Sequence, residues 1–133
     1  MIREININKK LVAILVNSKN YKNKKGINFF TKAKYPIQVA SMQHKKKHVI
    51  RPHIHKKFIR KIRNTSEVLI IQYGQITVEF YNNKRKIVKK IILKKDDIII
   101  FFSGTHGFKI DKKTRFIEVK QGPYFKNVDK KLI

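Results

Sequence analysis

The chain has 133 residues, which suits one domain built around one hydrophobic core. Hydrophobic residues make up 41% of it, more than a disordered chain carries, and the absence of cysteine excludes disulfides, thiolate metal sites and cysteine nucleophiles. No apolar run is long enough to cross a bilayer and no signal peptide is recognisable, so we expect a cytoplasmic protein without a membrane partner.

The formal net charge of +25 allows two interpretations. Lysine-rich surfaces attract the phosphate backbone of nucleic acids through counterion release. Here, however, lysines are spread along the whole chain, arginine is scarce, and there is no basic helix or recognisable nucleic-acid motif. We therefore favour a solvated basic surface, which also attracts small anionic ligands, and treat nucleic-acid binding as the weaker alternative.

Short apolar or alternating runs recur along the chain and predict β-strands. In Gln75–Phe80 the apolar residues Ile76, Val78 and Phe80 alternate with polar ones, the two-residue period of a strand. After Tyr35 no stretch has a helical period. The predicted strands are Leu11–Val16, Ile27–Thr31, Ile37–Gln43, Glu67–Tyr73, Gln75–Tyr81, Ile87–Leu93, Ile98–Phe102, Phe108–Ile110 and Arg115–Gln121.

Turn sequences separate several of these runs. Asn82-Asn83-Lys84 suits a positive φ in a hairpin, Asp96-Asp97 precedes a buried run, and Ser103-Gly104-Thr105 predicts a sharp corner. Gly74 joins two runs so closely that they should form a hairpin. Many short strands at this spacing predict an all-β sandwich or barrel in a single domain, 1–133. Its main body spans about 37–124, preceded by N-terminal strands or an arm (1–36) and followed by a tail (125–133).

Three histidines and one glutamate form a pattern that suggests a metal site. His53 and His55 are two residues apart, which on a strand places both imidazoles on one face. Glu67 opens the next strong strand, and His106 follows the corner at Gly104. Neutral imidazoles with one carboxylate suit a single divalent ion such as Fe, Mn, Ni, Co or Zn.

These residues resemble the two motifs of the cupin superfamily. The first motif consists of a glycine, five residues, HxH, a short gap, a glutamate, six residues and a glycine. In this chain His53-x-His55 resembles the HxH pair. Glu67, followed after six residues by Gly74, resembles the second half of the motif. The second motif has Gly-Asp, a hydrophobic strand, a Pro-x-Gly-like turn and a histidine, which is similar to the stretch Asp96–His106. The resemblance implies a cupin-type antiparallel β-barrel (a double-stranded β-helix, jelly-roll-like), with His53, His55, Glu67 and His106 as metal ligands.

The chain departs from the cupin pattern at several positions. Eleven residues separate His55 from Glu67, where the family has three or four, so an extra loop over 56–64 should bulge beside the metal. Lys47 and Asp96 stand where the motifs have glycine, and Phe102 replaces the turn proline. These departures keep the four ligand types but alter the backbone around them.

Four other side chains are candidates for substrate binding. Arg60 and Arg63 lie on the inserted loop and could bind a carboxylate or phosphate, or be an ordinary solvated pair. Tyr73 is an even number of residues from Glu67 on the same strand, so both should lie on one face. There Tyr73 could line the pocket or only pack in the core. Gln121 points into the barrel or satisfies a backbone group.

Two other histidines, His44 and His48, flank a lysine run and are expected at a solvated edge rather than as ligands. No catalytic acid or base is assigned, so the sequence does not decide whether the protein is an enzyme.

The leading hypothesis for function is a metal-dependent enzyme acting on a small polar metabolite, a carbohydrate or organic acid, with the ion as Lewis acid. A carbohydrate pathway rests on family analogy alone. The alternative is a metal-dependent binding module that does not turn its ligand over. Cupins commonly pair, and the early apolar runs should extend or cover a sheet edge in a homodimer.

Overall fold

The chain folds into antiparallel β-sheets in a computed structural model that describes residues 2–125 and 128–133. Ten strands lie in the described part, together with one 3-10 turn over Ser18–Asn20. The strands are β1 Ile2–Ile7, β2 Lys10–Val16, β3 Gly26–Phe29, β4 Ala40–Gln43, β5 Glu67–Tyr73, β6 Gln75–Tyr81, β7 Ile87–Lys94, β8 Ile98–Phe101, β9 Thr105–Ile110 and β10 Arg115–Lys120.

The strands form two main sheets and one separate hairpin. The larger sheet has the order β1-β2-β8-β5-β10, the smaller has the order β7-β6-β9, and β3 pairs with β4. Every strand pair is antiparallel. The prediction of an all-β, antiparallel protein with very little helix is confirmed.

The hydrophobic core lies between the two main sheets. Ile76, Val78 and Phe80 alternate along β6 and are at most 1% exposed, as their period of two predicted. They pack in one cluster with residues of the larger sheet, including Leu69 and Phe101. The core therefore comes from the facing sides of strands that are far apart in sequence.

The larger sheet is covered on its second face as well. Strand β8 reads Ile-Ile-Ile-Phe, and all four residues are buried because both faces of the strand are covered. The second face holds a separate cluster with Ile98, Ile100 and Phe102, on which Tyr35 packs at 4.9 Å between ring centroids. The chain between β2 and β4 supplies this cover.

Asp97 fixes the covering chain to the turn before β8. Its carboxylate is buried and accepts hydrogen bonds from the Ser18 backbone N–H at 3.1 Å and from the Asn17 amide at 3.2 Å. The other oxygen accepts from the Lys94 backbone N–H at 3.0 Å. One side chain thus satisfies donors from two distant parts of the chain.

All nine predicted strand runs overlap an observed strand. Strand β1 was not predicted, because charged and amide residues interrupt its isoleucines. The positive φ expected within Asn82–Lys84 falls instead on Arg85, at 60°, while the Asn82 side chain accepts from the backbone of Lys84 and Lys86. Residues 126 and 127 of the predicted tail lie outside the described residues. In the described chain, no helix has the length and apolar character needed to cross a membrane.

Candidate functional site

Glu67 and His106 meet at one end of the sandwich. Glu67 is the first residue of β5 in the larger sheet, and His106 is the second residue of β9 in the smaller one. Their Oε2 and Nε2 atoms are 3.1 Å apart. The carboxylate side chain is 11% exposed and the imidazole 20%. Two of the four predicted metal ligands are therefore in direct contact.

Aromatic rings hold the imidazole of His106 in place. It stacks on Phe101 of β8 with 4.1 Å between ring centroids and an interplanar angle of 16°, and Phe108 packs at 5.4 Å. Its Nδ1 atom is buried and has no hydrogen-bond partner among the described residues. The ring is thus oriented by packing, with Nε2 directed at Glu67.

The environment of Glu67 favours its ionised form. The hydrogen bond from His106 lowers the pKa of this carboxyl group below its ordinary value, although burial opposes the shift. The positive charges of Lys130 and Lys120 lower the pKa further. An ionised carboxylate is the form that binds a metal ion or accepts a charged hydrogen bond.

The pair lies in an open cleft of about 780 Å³. Phe101 and Phe108 form part of its apolar wall, and residues 128–133 line another part. Around the cleft, cationic side chains outnumber the carboxylates of Glu67 and Asp129. The cationic side chains that line the cleft are Lys10, Arg63, Lys130 and Lys131. Such a cleft favours a small anionic ligand.

His53 and His55 do not join the other two candidates. A strand through His53 and His55, which would put both imidazoles on one face, is not formed: residues 50–63 have no regular secondary structure, and residues 42–65 are exposed throughout. The two rings lie 5.2 Å apart between centroids, edge to face, and His53 Nδ1 lies 3.0 Å from the Arg51 carbonyl oxygen. The two imidazoles lie near each other but not on a strand, because a strand needs a neighbour and none of the strands in residues 2–125 and 128–133 pairs with this segment.

The described residues contain no group of three or more His, Asp or Glu side chains arranged to hold one ion. The chemistry of the pair itself nevertheless fits half of a metal site. Two ligands about 2.1 Å from one ion and at right angles to each other are about 3.0 Å apart. The 3.1 Å between Glu67 and His106 suits this arrangement as well as a direct hydrogen bond.

The four candidate substrate-binding residues are separated in the structure. Arg63 lines the cleft. Arg60 instead stacks over the Phe58 ring, 3.6 Å from its centroid. Tyr73 is at the opposite end of β5 from Glu67, roughly 20 Å along the strand, and is 43% exposed. Gln121 accepts from the Ser66 backbone N–H at 2.8 Å, the backbone role that was one of its two interpretations.

Sequence reasoning missed two groups that shape the cleft. Lys10 begins β2, and the C-terminal residues 128–133 return to the mouth of the cleft. Because lysine is spread along the whole chain, nothing local distinguishes these cations from solvated ones. No family model, curated protein or solved structure matches this chain, so the site is interpreted from its own geometry.

Proposed function

We propose that this chain is a cupin-type metalloprotein that binds one divalent ion and acts on a small, anionic, polar metabolite. The observation that carries the proposal is the partly buried Glu67–His106 pair inside a basic cleft. A carboxylate and an imidazole suit a borderline ion, and the surrounding cations suit a carboxylate or phosphate on the ligand.

Backbone conformation supports the cupin resemblance independently of the ligands. Four positions correspond to glycines of the cupin motifs, and all four have a left-handed backbone here. Two of them are still glycine, Gly74 with φ 86° and Gly104 with φ 88°. The other two are Lys47 with φ 66° and Asp96 with φ 65°. Two of the five non-glycine residues with positive φ in the described chain therefore stand at motif glycine positions, which favours a shared backbone path.

His53 and His55 would complete the ligand set by moving from the exposed segment to the Glu67–His106 pair. When bound, the ion would act as a Lewis acid on a carbonyl or hydroxyl group of the metabolite. The residues of the chain have separate tasks: Arg63 and Lys10 attract and orient the anionic group, while Phe101 and Phe108 keep water from one side of the imidazole. The cupin barrel would close through the same movement.

Calorimetric titration of the chelator-treated chain with Mn²⁺, Co²⁺, Ni²⁺ and Zn²⁺ tests the proposal. We expect one ion per chain, with binding weakened at least tenfold in His53→Ala/His55→Ala and in His106→Ala. The matched control is His44→Ala/His48→Ala, which removes two other exposed histidines of the same segment, stacked 4.1 Å apart. Unchanged binding in the first two variants, or equal loss in the control, would refute the site.

The openness of the basic cleft favours a second candidate, a binding module that takes a small anion without a metal. In that case citrate or inorganic phosphate should bind equally well with and without chelator. Arg63→Ala should weaken that binding, while His53→Ala/His55→Ala should not. Anion binding that requires added metal would exclude this candidate.

A further inference from the structure

Residues 54–63, the basic segment, have the period of a helix although they lie between strands. At about 100° per residue, their apolar side chains fall within an arc of about 140°, and their cationic side chains fill the opposite arc of about 160°. The expectation that no stretch after Tyr35 has a helical period is therefore wrong here. The apolar arc holds Ile54, Phe58, Ile59 and Ile62, with His55 among them, and the cationic arc holds Lys56, Lys57, Arg60, Lys61 and Arg63.

The same residues would not separate into two faces on a strand. Alternation would put Lys56 and Arg60 on the face of Phe58, and Lys57 and Lys61 on the face of Ile59. No strand in residues 2–125 and 128–133 pairs with the segment, and it has no regular secondary structure. A helix of fewer than three turns is not stable alone in water. The segment therefore needs a partner in order to use its helical pattern.

The apolar side chains of the basic segment are uncovered in the structure. Ile54 is 88% exposed, Ile59 91% and Phe58 64%. The ring of Phe58 contacts the guanidinium of Arg60, which lies 3.6 Å from the ring centroid. Exposed apolar side chains grouped in this way mark a surface that a partner covers.

Charge identifies the kind of partner. The basic segment carries five cationic residues and no carboxylate, and the cleft that Arg63 lines is itself basic. The whole chain has 33 lysine and arginine residues against 8 aspartate and glutamate residues. Three of these carboxylates, Glu4, Glu79 and Asp96, already pair with lysines. Since neither this chain nor a second copy has negative charge to spare, the partner is a different, anionic one.

The partner must also accept apolar side chains over a broad area. A nucleic acid would neutralise the cations but leave the apolar arc in water. The β3–β4 hairpin, which leads into the lysine run 45–47, has a second exposed apolar face. Ile27 lies opposite Met42 there, Phe29 shares their side, and all three are more than half exposed. Two apolar patches with lysines between them favour an extended surface over a single groove.

We propose that the basic segment binds the surface of an anionic lipid bilayer as a short amphipathic helix. Its apolar arc would enter the boundary between headgroups and acyl chains, and its cations would reach the lipid phosphates. Such a helix lies on the bilayer without crossing it. The proposal thus replaces the expectation of no membrane partner, which rested on the length of apolar runs. It does not rest on the proposed function, because residues 56–63 lie beyond His53 and His55.

Sedimentation with lipid vesicles in the presence of chelator tests the proposal. Phosphatidylcholine vesicles with about one third phosphatidylserine should bind the chain at least about tenfold more tightly than pure phosphatidylcholine vesicles. A chain of charge +25 is attracted to any anionic surface, so the control must remove equal charge elsewhere.

Two triple variants of equal net charge provide this control. Lys56→Gln/Lys57→Gln/Lys61→Gln should weaken binding about tenfold or more, and Lys84→Gln/Lys86→Gln/Lys95→Gln about twofold or less. Equal weakening would show attraction by overall charge alone and would overturn the proposal.

A single tryptophan reports insertion, because the chain has none of its own. We expect the fluorescence of Phe58→Trp to shift to the blue on anionic vesicles and to be quenched by lipids brominated on their acyl chains, with a gain of helix in circular dichroism. Phe58→Trp/Lys61→Ile/Ile62→Lys has the same composition as this probe but places a lysine within the apolar arc. It should lose most of the shift and the helix. An equal shift in both chains would show that the helical pattern is not used, and would overturn the proposal.

The remaining outcomes assign other partners. A blue shift of Phe58→Trp with calcium-loaded calmodulin, an acidic protein with an apolar groove, and none with vesicles would indicate a protein partner and overturn the proposal. A shift only with an RNA oligonucleotide would overturn it in favour of nucleic acid. Metal binding without vesicle binding would refute the helix and keep the metal site, whereas vesicle insertion without metal binding would do the reverse.

Discussion

Glu67 Oε2 in the larger sheet and His106 Nε2 in the smaller one are 3.1 Å apart, a polar contact between the two facing sheets. Glu67 lies opposite Phe101 in the larger sheet, and His106 lies opposite Phe80 in the smaller one. Both aromatic partners belong to the core between the sheets. The polar pair therefore lies where the apolar core reaches the cleft.

A double-mutant cycle in the presence of chelator measures the strength of this contact. Glu67→Leu and His106→Phe each remove one partner and keep an apolar side chain in its place. We expect each to lower the free energy of unfolding by about 1–3 kcal/mol, because the remaining partner is left partly buried and unpaired. The coupling energy should be about 1–2 kcal/mol in urea denaturation. Additive effects would show that the two side chains do not interact.

Gly74 connects β5 and β6 in a conformation that only glycine accommodates well. Its φ is 86°, and a Cβ atom would collide with the carbonyl oxygen of Lys113 and with Thr114. Gly26 has a similar φ of 75° but open space around it. We therefore expect Gly26→Ala to cost about 1 kcal/mol from backbone strain alone, and Gly74→Ala to cost more than about 2 kcal/mol. Equal losses in thermal or urea unfolding would contradict the collision.

The strands could be predicted because their signals are local. The alternation in β6 and the unbroken apolar run of β8 are visible within four to seven residues, and both strands formed where expected. Strand β1 carries the same alternation more weakly, since only Ile5 in it is buried. An edge strand with one buried residue leaves little hydrophobic pattern to detect.

The site could be predicted only in part, because its assembly depends on long-range pairing. Glu67 begins β5, and His106 lies in β9 two residues before the run predicted there; the two side chains meet. The spacing of His53 and His55 indicates a shared face but not which strand lies beside them. Lys47 and Asp96 show a related limit: their left-handed backbone could not be inferred from residue types that seldom adopt it.

Glu79 should make the stability of the protein depend on acid pH. Its buried carboxylate accepts from Lys90 Nζ at 2.8 Å and from Tyr81 Oη at 3.0 Å, and these hydrogen bonds lower its pKa, that from Lys90 most. A carboxyl group whose pKa is lower in the folded state stabilises the fold above its unfolded pKa. That contribution is lost as the pH falls through the folded value.

The corresponding measurement is the melting temperature between about pH 6 and pH 3. Glu79→Gln should melt lower than wild type near neutrality, and the difference should shrink as the pH falls. Glu4→Gln is the control, because it removes an exposed carboxylate that bonds to Lys32 at 3.1 Å. It should follow the wild-type curve closely. A difference for Glu79→Gln that stays constant with pH would contradict the assignment.

Removing the carboxylate of Asp97 should lower the free energy of unfolding more than removing an exposed carboxylate, because Asp97 accepts hydrogen bonds from two separate parts of the chain. Asp97→Ala would leave the backbone N–H groups of Ser18 and Lys94 and the Asn17 amide without their acceptor. We expect a loss of at least about 2 kcal/mol in urea denaturation, together with faster hydrogen exchange at those two backbone amides. Asp111→Ala is the matched control: Asp111 is exposed, and within the described part of the chain its carboxylate accepts from the Thr77 hydroxyl alone, so its loss should cost about 0.5 kcal/mol or less. Equal stability of the two variants, or unchanged exchange at Ser18 and Lys94 in Asp97→Ala, would show that the carboxylate does not hold the covering chain to the sheet.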